Sequence, residues 1–221
     1  MVLDFFRGSG DTLSQVEETL VQMMRDGREV YDTAMEAVFG GGKSKEAKQT
    51  VRSTDREINE GQRAIRRALV IRASVSGGIE LPLLLTYMSI VKDVERVGDY
   101  AKNIYDLAKY GIDFSEGDDV EELARYRDAV AQLISDAADV FESRDTVRAT
   151  DLVAKADVFL DEYDDHVKAA IQSTGPASDA VARALYHRYL KRITAHLMNL
   201  MTSLTMPVDQ LDYYDEAKED R

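Results

Sequence analysis

The chain consists of long helical stretches, most of them separated by glycine or proline. Three prolines occur, Pro82, Pro176 and Pro207, and none interrupts a periodic run. Pro82 and Pro176 each follow a glycine-containing stretch, and proline is tolerated in the first turn of a helix because its missing N–H has no partner there. No alternating strand pattern with hairpin turns is present. The expected fold class is therefore all-α. Six helices can be drawn, roughly over Asp11–Phe39, Ser44–Ser74, Glu80–Tyr110, Asp118–Ser143, Thr146–Ser173 and Ser178–Thr205. Gly40-Gly41-Gly42, Gly77-Gly78, Gly111 and Gly175-Pro176 separate them, as helix stop signals do.

The apolar seams have helical period. The second stretch carries Val51, Ile58, Ile65 and Leu69, and the third carries Leu83, Ile90, Val94, Val97, Ala101 and Ile104. Each stretch is roughly 26 to 31 residues long, well above the usual helix of about 11–12. Long helices with short connections pack antiparallel as bundles. The expected organisation is two tandem three-helix bundles, residues 1–112 and 113–206, followed by an acidic tail, 207–221.

Composition narrows the function. With no cysteine, thiolate chemistry, disulfides and thiolate metal sites are excluded. The three histidines, His166, His187 and His196, form no HExxH or ExxH pattern. His187 and His196 lie nine apart on opposed helix faces, and His166 reads as solvated. A net charge of −13 argues against binding nucleic acid through its phosphates. The most apolar window, Ile79–Val91, contains Glu80 and Pro82 and is too short to span a bilayer. The chain reads as soluble and cytoplasmic, peripheral to a membrane at most. Phe5 and Phe6 read as a staple or a dimer contact.

The two halves resemble each other. AMEAVF at Ala34–Phe39 parallels DAADVF at Asp136–Phe141, an offset of 102. The same offset carries Asp55-Arg56-Glu57-Ile58-Asn59 onto Asp157-Val158-Phe159-Leu160-Asp161. An offset of 96 carries Glu95-Arg96-Val97 onto Lys191-Arg192-Ile193 and Asn103 onto Asn199. Such matches in the same order describe a degenerate repeat.

The candidate chemistry lies in the run Val94-Glu95-Arg96-Val97-Gly98-Asp99-Tyr100-Ala101-Lys102-Asn103-Ile104. Glu95 and Asp99 are one helical turn apart. With Val94 on the seam, they fall roughly 100° and 140° away, on the flank of the helix. Asp55 and Asn59 are likewise four apart on the second helix. Where the two helices pack side by side, these four could converge, and three carboxylates with one amide oxygen would then require a cation or several arginines. All-oxygen ligands favour a hard cation such as Mg²⁺, Mn²⁺, Ca²⁺ or oxidised iron. Asp93 is a weaker candidate, pointing elsewhere on the wheel. Arg96 is expected to pair with a carboxylate of a neighbouring helix. Gly98 in mid-helix is expected to mark a close helix approach.

The order Asp-x-x-Ile-Asn/Asp, a break, then Glu-Arg-Val-Gly-Asp-Tyr-Ala-x-Asn-Ile, occurring twice, resembles the PhoU family of phosphate-signalling proteins. The likeness covers most of the chain and is sharp over about Leu85 to Leu107. It implies a tandem three-helix-bundle regulator rather than an enzyme. It further implies metal bound through Asp55, Asn59, Glu95 and Asp99, a phosphate-importer ATPase and a sensor histidine kinase as partners, and negative regulation of phosphate uptake. A homodimer would be compatible. In the second half, Asp157 and Asp161 keep their places, while Lys191 and Ala195 stand where the family pattern has Glu and Asp. Lys191 would then serve as a built-in cation for Asp157 and Asp161, leaving that half without metal. The rival readings are a metal-free helical interaction protein regulating another transport system and a carboxylate-bridged di-metal oxidase. The latter needs ExxH pairs that are absent.

Overall fold

The structure, a computed structural model, describes residues 11–76, 78–211 and 213. Six helices make up the fold, and no strand occurs among the described residues. We label them α1 (Asp11–Glu36), α2 (Lys45–Val75), α3 (Leu81–Lys109), α4 (Val120–Ser143), α5 (Thr146–Ile171) and α6 (Ala177–Thr202). The boundaries follow local chemistry. Ser44 caps α2, its hydroxyl accepting from the Ala47 N–H at 2.9 Å. Asp145 caps α5 by accepting from the Arg148 N–H at 2.9 Å. α1 ends in a widened turn over Ala37–Gly41, where Gly40 takes φ +103°, a conformation natural to glycine. α6 stops at Thr202, short of Pro207, and a 3-10 turn follows at Val208–Gln210. The proposed acidic tail begins differently from the sequence reading. Leu211 is buried and its carbonyl accepts from the Thr202 hydroxyl at 2.9 Å. Residues 212 and 214–221 of that tail, like Phe5 and Phe6, lie outside the described residues.

α1, α2 and α3 pack on one another, and α6 packs on α4 and more extensively on α5. The two sets are joined by α1 against α4 and by α3 against α6, so one hydrophobic core runs through both. Both joints are antiparallel. Along the first, Arg28 donates to the Ser135 hydroxyl at 2.7 Å and the Tyr31 hydroxyl donates to the Arg127 carbonyl at 2.9 Å. Further along the same joint, Arg144 and Tyr87 both bond Glu17. Arg144 holds the left-handed C-terminal position of α4 at φ 56°. Its ion pair gives a reason for a non-glycine residue in that region. Phe114, in the crossover between halves, is buried against Phe39 and Tyr186, with ring centroids 6.0 and 5.1 Å away.

Within the first half the helices approach closely at glycines. A Cβ placed on Gly98 of α3 would lie 2.8 Å from Ile58 Cδ1 of α2. One on Gly61 of α2 would lie 2.9 Å from Met23 Cγ of α1. Gly98 is thus the close-approach residue that its mid-helix position suggested. Overpacking a well-filled core costs about 1–3 kcal/mol, whereas Gly→Ala gains up to about 1 kcal/mol of helix propensity. Gly98→Ala should therefore lower stability by about 1 kcal/mol in the wild-type background. With Ile58→Val, which removes the methyl in the way, the same substitution should raise stability. Urea unfolding of the four proteins of this cycle measures the sign change.

Candidate functional site

The signature run of α3 forms a ladder of charge rather than an open carboxylate cluster. Three-residue steps bring alternate signs together along one side of the helix. Lys92 pairs with Glu95. Arg96 lies 4.0 Å from Glu95 and 3.5 Å from Asp99. Lys102 lies 3.2 Å from Asp99 and reaches across to α2, where its ammonium donates to Asp55 at 2.6 Å. Arg96 therefore pairs within its own helix, not with a neighbouring one as the sequence reading expected. Glu95, placed by the wheel on the flank, is only 7% exposed. It is reached by the ammonium of Lys92, whose long stem can lie along the helix while its head stays wet.

Two of the four expected ligands do meet. Asp55 and Asp99 converge from neighbouring helices, and what lies between them is the Lys102 ammonium. Burial weakens that charge, but the hydrogen bonds it donates to Asp55 and Asp99, with their negative charge, outweigh it and raise the Lys102 pKa above its ordinary value. Asn59 turns its amide back to donate to the Asp55 carbonyl at 2.8 Å. Glu95 faces Lys92. Among the described residues, no three His, Cys, Asp or Glu side chains gather as a metal ion would require. As folded, Asp55, Asn59, Glu95 and Asp99 do not fit a shared divalent cation. In the second half, the ion pair of Lys191 is with Asp164.

Asp93, two residues before Glu95, faces the opposite direction, into the joint with α6. It accepts from His196 Nδ1 at 2.8 Å and from the Asn199 amide at 3.3 Å. Arg192 approaches His196 Nε2 at 3.5 Å, and Tyr100 stacks on the same ring at 5.8 Å. A carboxylate only accepts, so Nδ1 is the donor of this contact. The wheel excluded Asp93 from the flank cluster correctly, but the helix-face argument missed its partner.

A second feature escaped the sequence reading. His166 of α5 is not simply solvated. Its ring stacks on His187 of α6 at 4.4 Å with planes 9° apart, and its Nε2 meets the Tyr126 hydroxyl at 2.9 Å. His187 is 3% exposed, and its Nδ1 bonds the Arg183 carbonyl at 2.9 Å. Both rings border a cleft of about 370 Å³ at the end of the second half, with Asp119, Glu122, Asp179 and Arg183 around it. Burial, helped by the neighbouring charge of His166, pulls the His187 pKa down to about 4. The spacing of 166 and 187 gave no signal, because the two residues sit on different helices with no shared motif.

A tandem arrangement of three-helix units, held together by ion ladders and buried polar contacts, defines a helical scaffold. Residues 20–108 match the PhoU domain model. The fold is similar to the crystal structure of PhoU from Pseudomonas aeruginosa. The TM-score is 0.72 at 24% identity, over 90% of this chain and 96% of that one. It is equally similar to the crystal structure of the phosphate transport system regulatory protein PhoU from Streptococcus pneumoniae. There the TM-score is 0.72 at 18% identity, over 90% of this chain and 94% of that one. No match is found among curated proteins.

Two measurements check this site. Lys102→Met removes the ammonium from between two carboxylates, so Mn²⁺ or Mg²⁺ should raise the melting temperature of the variant and leave the wild type unmoved. Stoichiometric Mn²⁺ uptake by the wild type in calorimetric titration would contradict the assignment. The second concerns His187, whose folded pKa of about 4 lies below the ordinary value of 6.5. The unfolded chain takes up a proton between these values that the native state refuses, so stability falls as pH drops from about 6.5 to about 4. His187→Phe should lose less stability than wild type between pH 7 and 4.5, by about 2 kcal/mol in urea unfolding.

Proposed function

We propose that this chain is a PhoU-type regulator of phosphate uptake and phosphate-dependent signalling, acting by docking to partner proteins and not as an enzyme. The observation that carries this reading is the match to the PhoU domain model over residues 20–108, set in a fold that follows PhoU structures along 90% of the chain. One of those relatives is by name a regulatory protein of a phosphate transport system. The partners are a phosphate-importer ATPase and a sensor histidine kinase, and the effect is negative regulation. Long rigid helices with polar outer faces suit such an adaptor, since they present fixed side-chain patterns to a partner without a substrate cavity. The ladder Lys92–Glu95–Arg96–Asp99–Lys102–Asp55 fixes α2 on α3 and so sets the surface they share. The adaptor then works without a metal in its first half. No helix among the described residues is long and apolar enough to cross a membrane.

Deleting the gene tests the reading. Phosphate uptake should then stay high in phosphate-replete medium, and the wild-type chain should restore its repression. Chelator-treated protein should bind the importer ATPase as well as untreated protein does. Unchanged phosphate uptake in the deletion strain, in both replete and limiting medium, would overturn the proposal.

A further inference from the structure

The corner where α2 ends and α3 begins is apolar and basic on a chain that is otherwise acidic. Val70, Ile71, Val75, Ile79, Leu81 and Leu85 are all exposed there, Val75 and Ile79 to about three quarters of their surface. Between Gly61 and Ile79 the sequence has four arginines and no acid, in a chain of net charge −13. Arg63, Arg67, Val70, Ile71, Ser74 and Val75 recur at helical spacing, so they form one outward stripe of α2. Arg63, Arg66 and Arg67 form no ion pair among the described residues. Arg72 does: its guanidinium forms a bidentate pair with Glu80, both bonds 2.6 Å, across the α2–α3 turn. That pair fixes the corner, so the exposed side chains stand on a built support rather than on a frayed end.

Exposed apolar surface of this extent is a mark of an interface. Three occupants can be compared. A second copy of the chain, meeting the patch across a two-fold axis, would set arginine stripe against arginine stripe. A partner helix seats in a groove between ridges. Here the aliphatic side chains project from the end of a helical hairpin instead of lining a concavity. A lipid surface needs no groove: it deforms around projecting aliphatic groups and offers negative charge to adjacent arginines. The remaining acids of the chain do not forbid this approach, because charges more than about 8–10 Å away are screened at physiological salt.

We propose that the α2–α3 corner is a membrane-surface site for anionic lipid, with Ile71, Val75, Ile79, Leu81 and Leu85 entering the interface and Arg63, Arg66 and Arg67 contacting headgroups. This goes beyond the docking function proposed above and stands on the patch alone.

The chain has no native cysteine, so a single label can be placed at will. Ile79→Cys, carrying a polarity-sensitive fluorophore, should shift to the blue on adding vesicles of phosphatidylcholine with about 30% phosphatidylglycerol, and not on adding phosphatidylcholine alone. The same label at Val158→Cys, also exposed but on α5, should not respond. Vesicle affinity measured by flotation should fall about 30-fold in Arg63→Gln/Arg67→Gln and about tenfold or more in Ile71→Ser/Leu85→Ser. Helical circular dichroism should stay unchanged in both, since the altered side chains lie on the surface. Equal binding to neutral vesicles, no binding to either, or undiminished binding by the corner variants overturns the proposal. So does a label at Ile79 that responds to the importer ATPase or the kinase but not to vesicles, which would make the corner a protein-docking site.

Discussion

The close approach of α2 and α3 at Gly98 determines where the charges of the first half can reach. With no Cβ at that point, Ile58 of α2 fits against the α3 backbone. Asp55 lies one turn before Ile58 on the same helix, and Asp99 immediately follows Gly98. At that separation the Lys102 side chain spans from its own helix to Asp55, and one ammonium serves two carboxylates. A bulkier residue at 98 would push the helices apart and stretch this contact first, since the bridge depends on a single flexible side chain. Backbone proximity and charge pairing are thus one feature seen at two levels, and the signature run is as much a packing device as a chemical one.

The class of fold and the helix count were legible because the chain satisfies several signals at once: period, glycine stops, and proline only at or beyond the ends of helices. The PhoU likeness was legible in the run from Glu95 to Ile104, and the close approach was legible in Gly98. The identity of the counter-ion was also present in the sequence but went unread. Lys92 lies three before Glu95 and Lys102 three after Asp99, the spacing at which helical side chains meet. Weighing carboxylates alone led to a metal; weighing the cations between them leads to a salt ladder. The failures on histidine have a different cause. A helical wheel separates faces only when one face is buried. α6 packs against α3, α4 and α5, and its residues from Leu197 to Thr202 are buried without a break. On such a helix His187 and His196 can point in opposed directions and both be interior.

The two halves, similar in outline, solve the same packing problem with different chemistry. In the first, α2 and α3 are tied on their flank by ions that remain partly wet. In the second, rings from α4, α5 and α6 add to the ion pairs: Tyr126, Phe159, Tyr163, His166 and His187 stack and cross at centroid distances of 4.4 to 6.4 Å. Ion pairs with access to solvent contribute little each and weaken with salt, whereas buried aromatic contacts are insensitive to it. The second half is also the one that responds to acid, through its buried imidazole.

That asymmetry bears on how a regulator of this shape can work. The halves are joined by two antiparallel seams, one of them holding the Asp93–His196–Asn199 contact at its centre. Both partners of that contact sit on helices whose other faces belong to their own bundles: α3 with Asp99 and Lys102, α6 with His187. A change in the spacing of α2 and α3 would therefore reach α6 through Asp93 without any loop rearrangement. Packed cores are not continuously deformable, so such a shift is carried as a small rigid displacement of whole helices. The seam between α3 and α6 is thus one of the two contacts that hold the halves as one packed body.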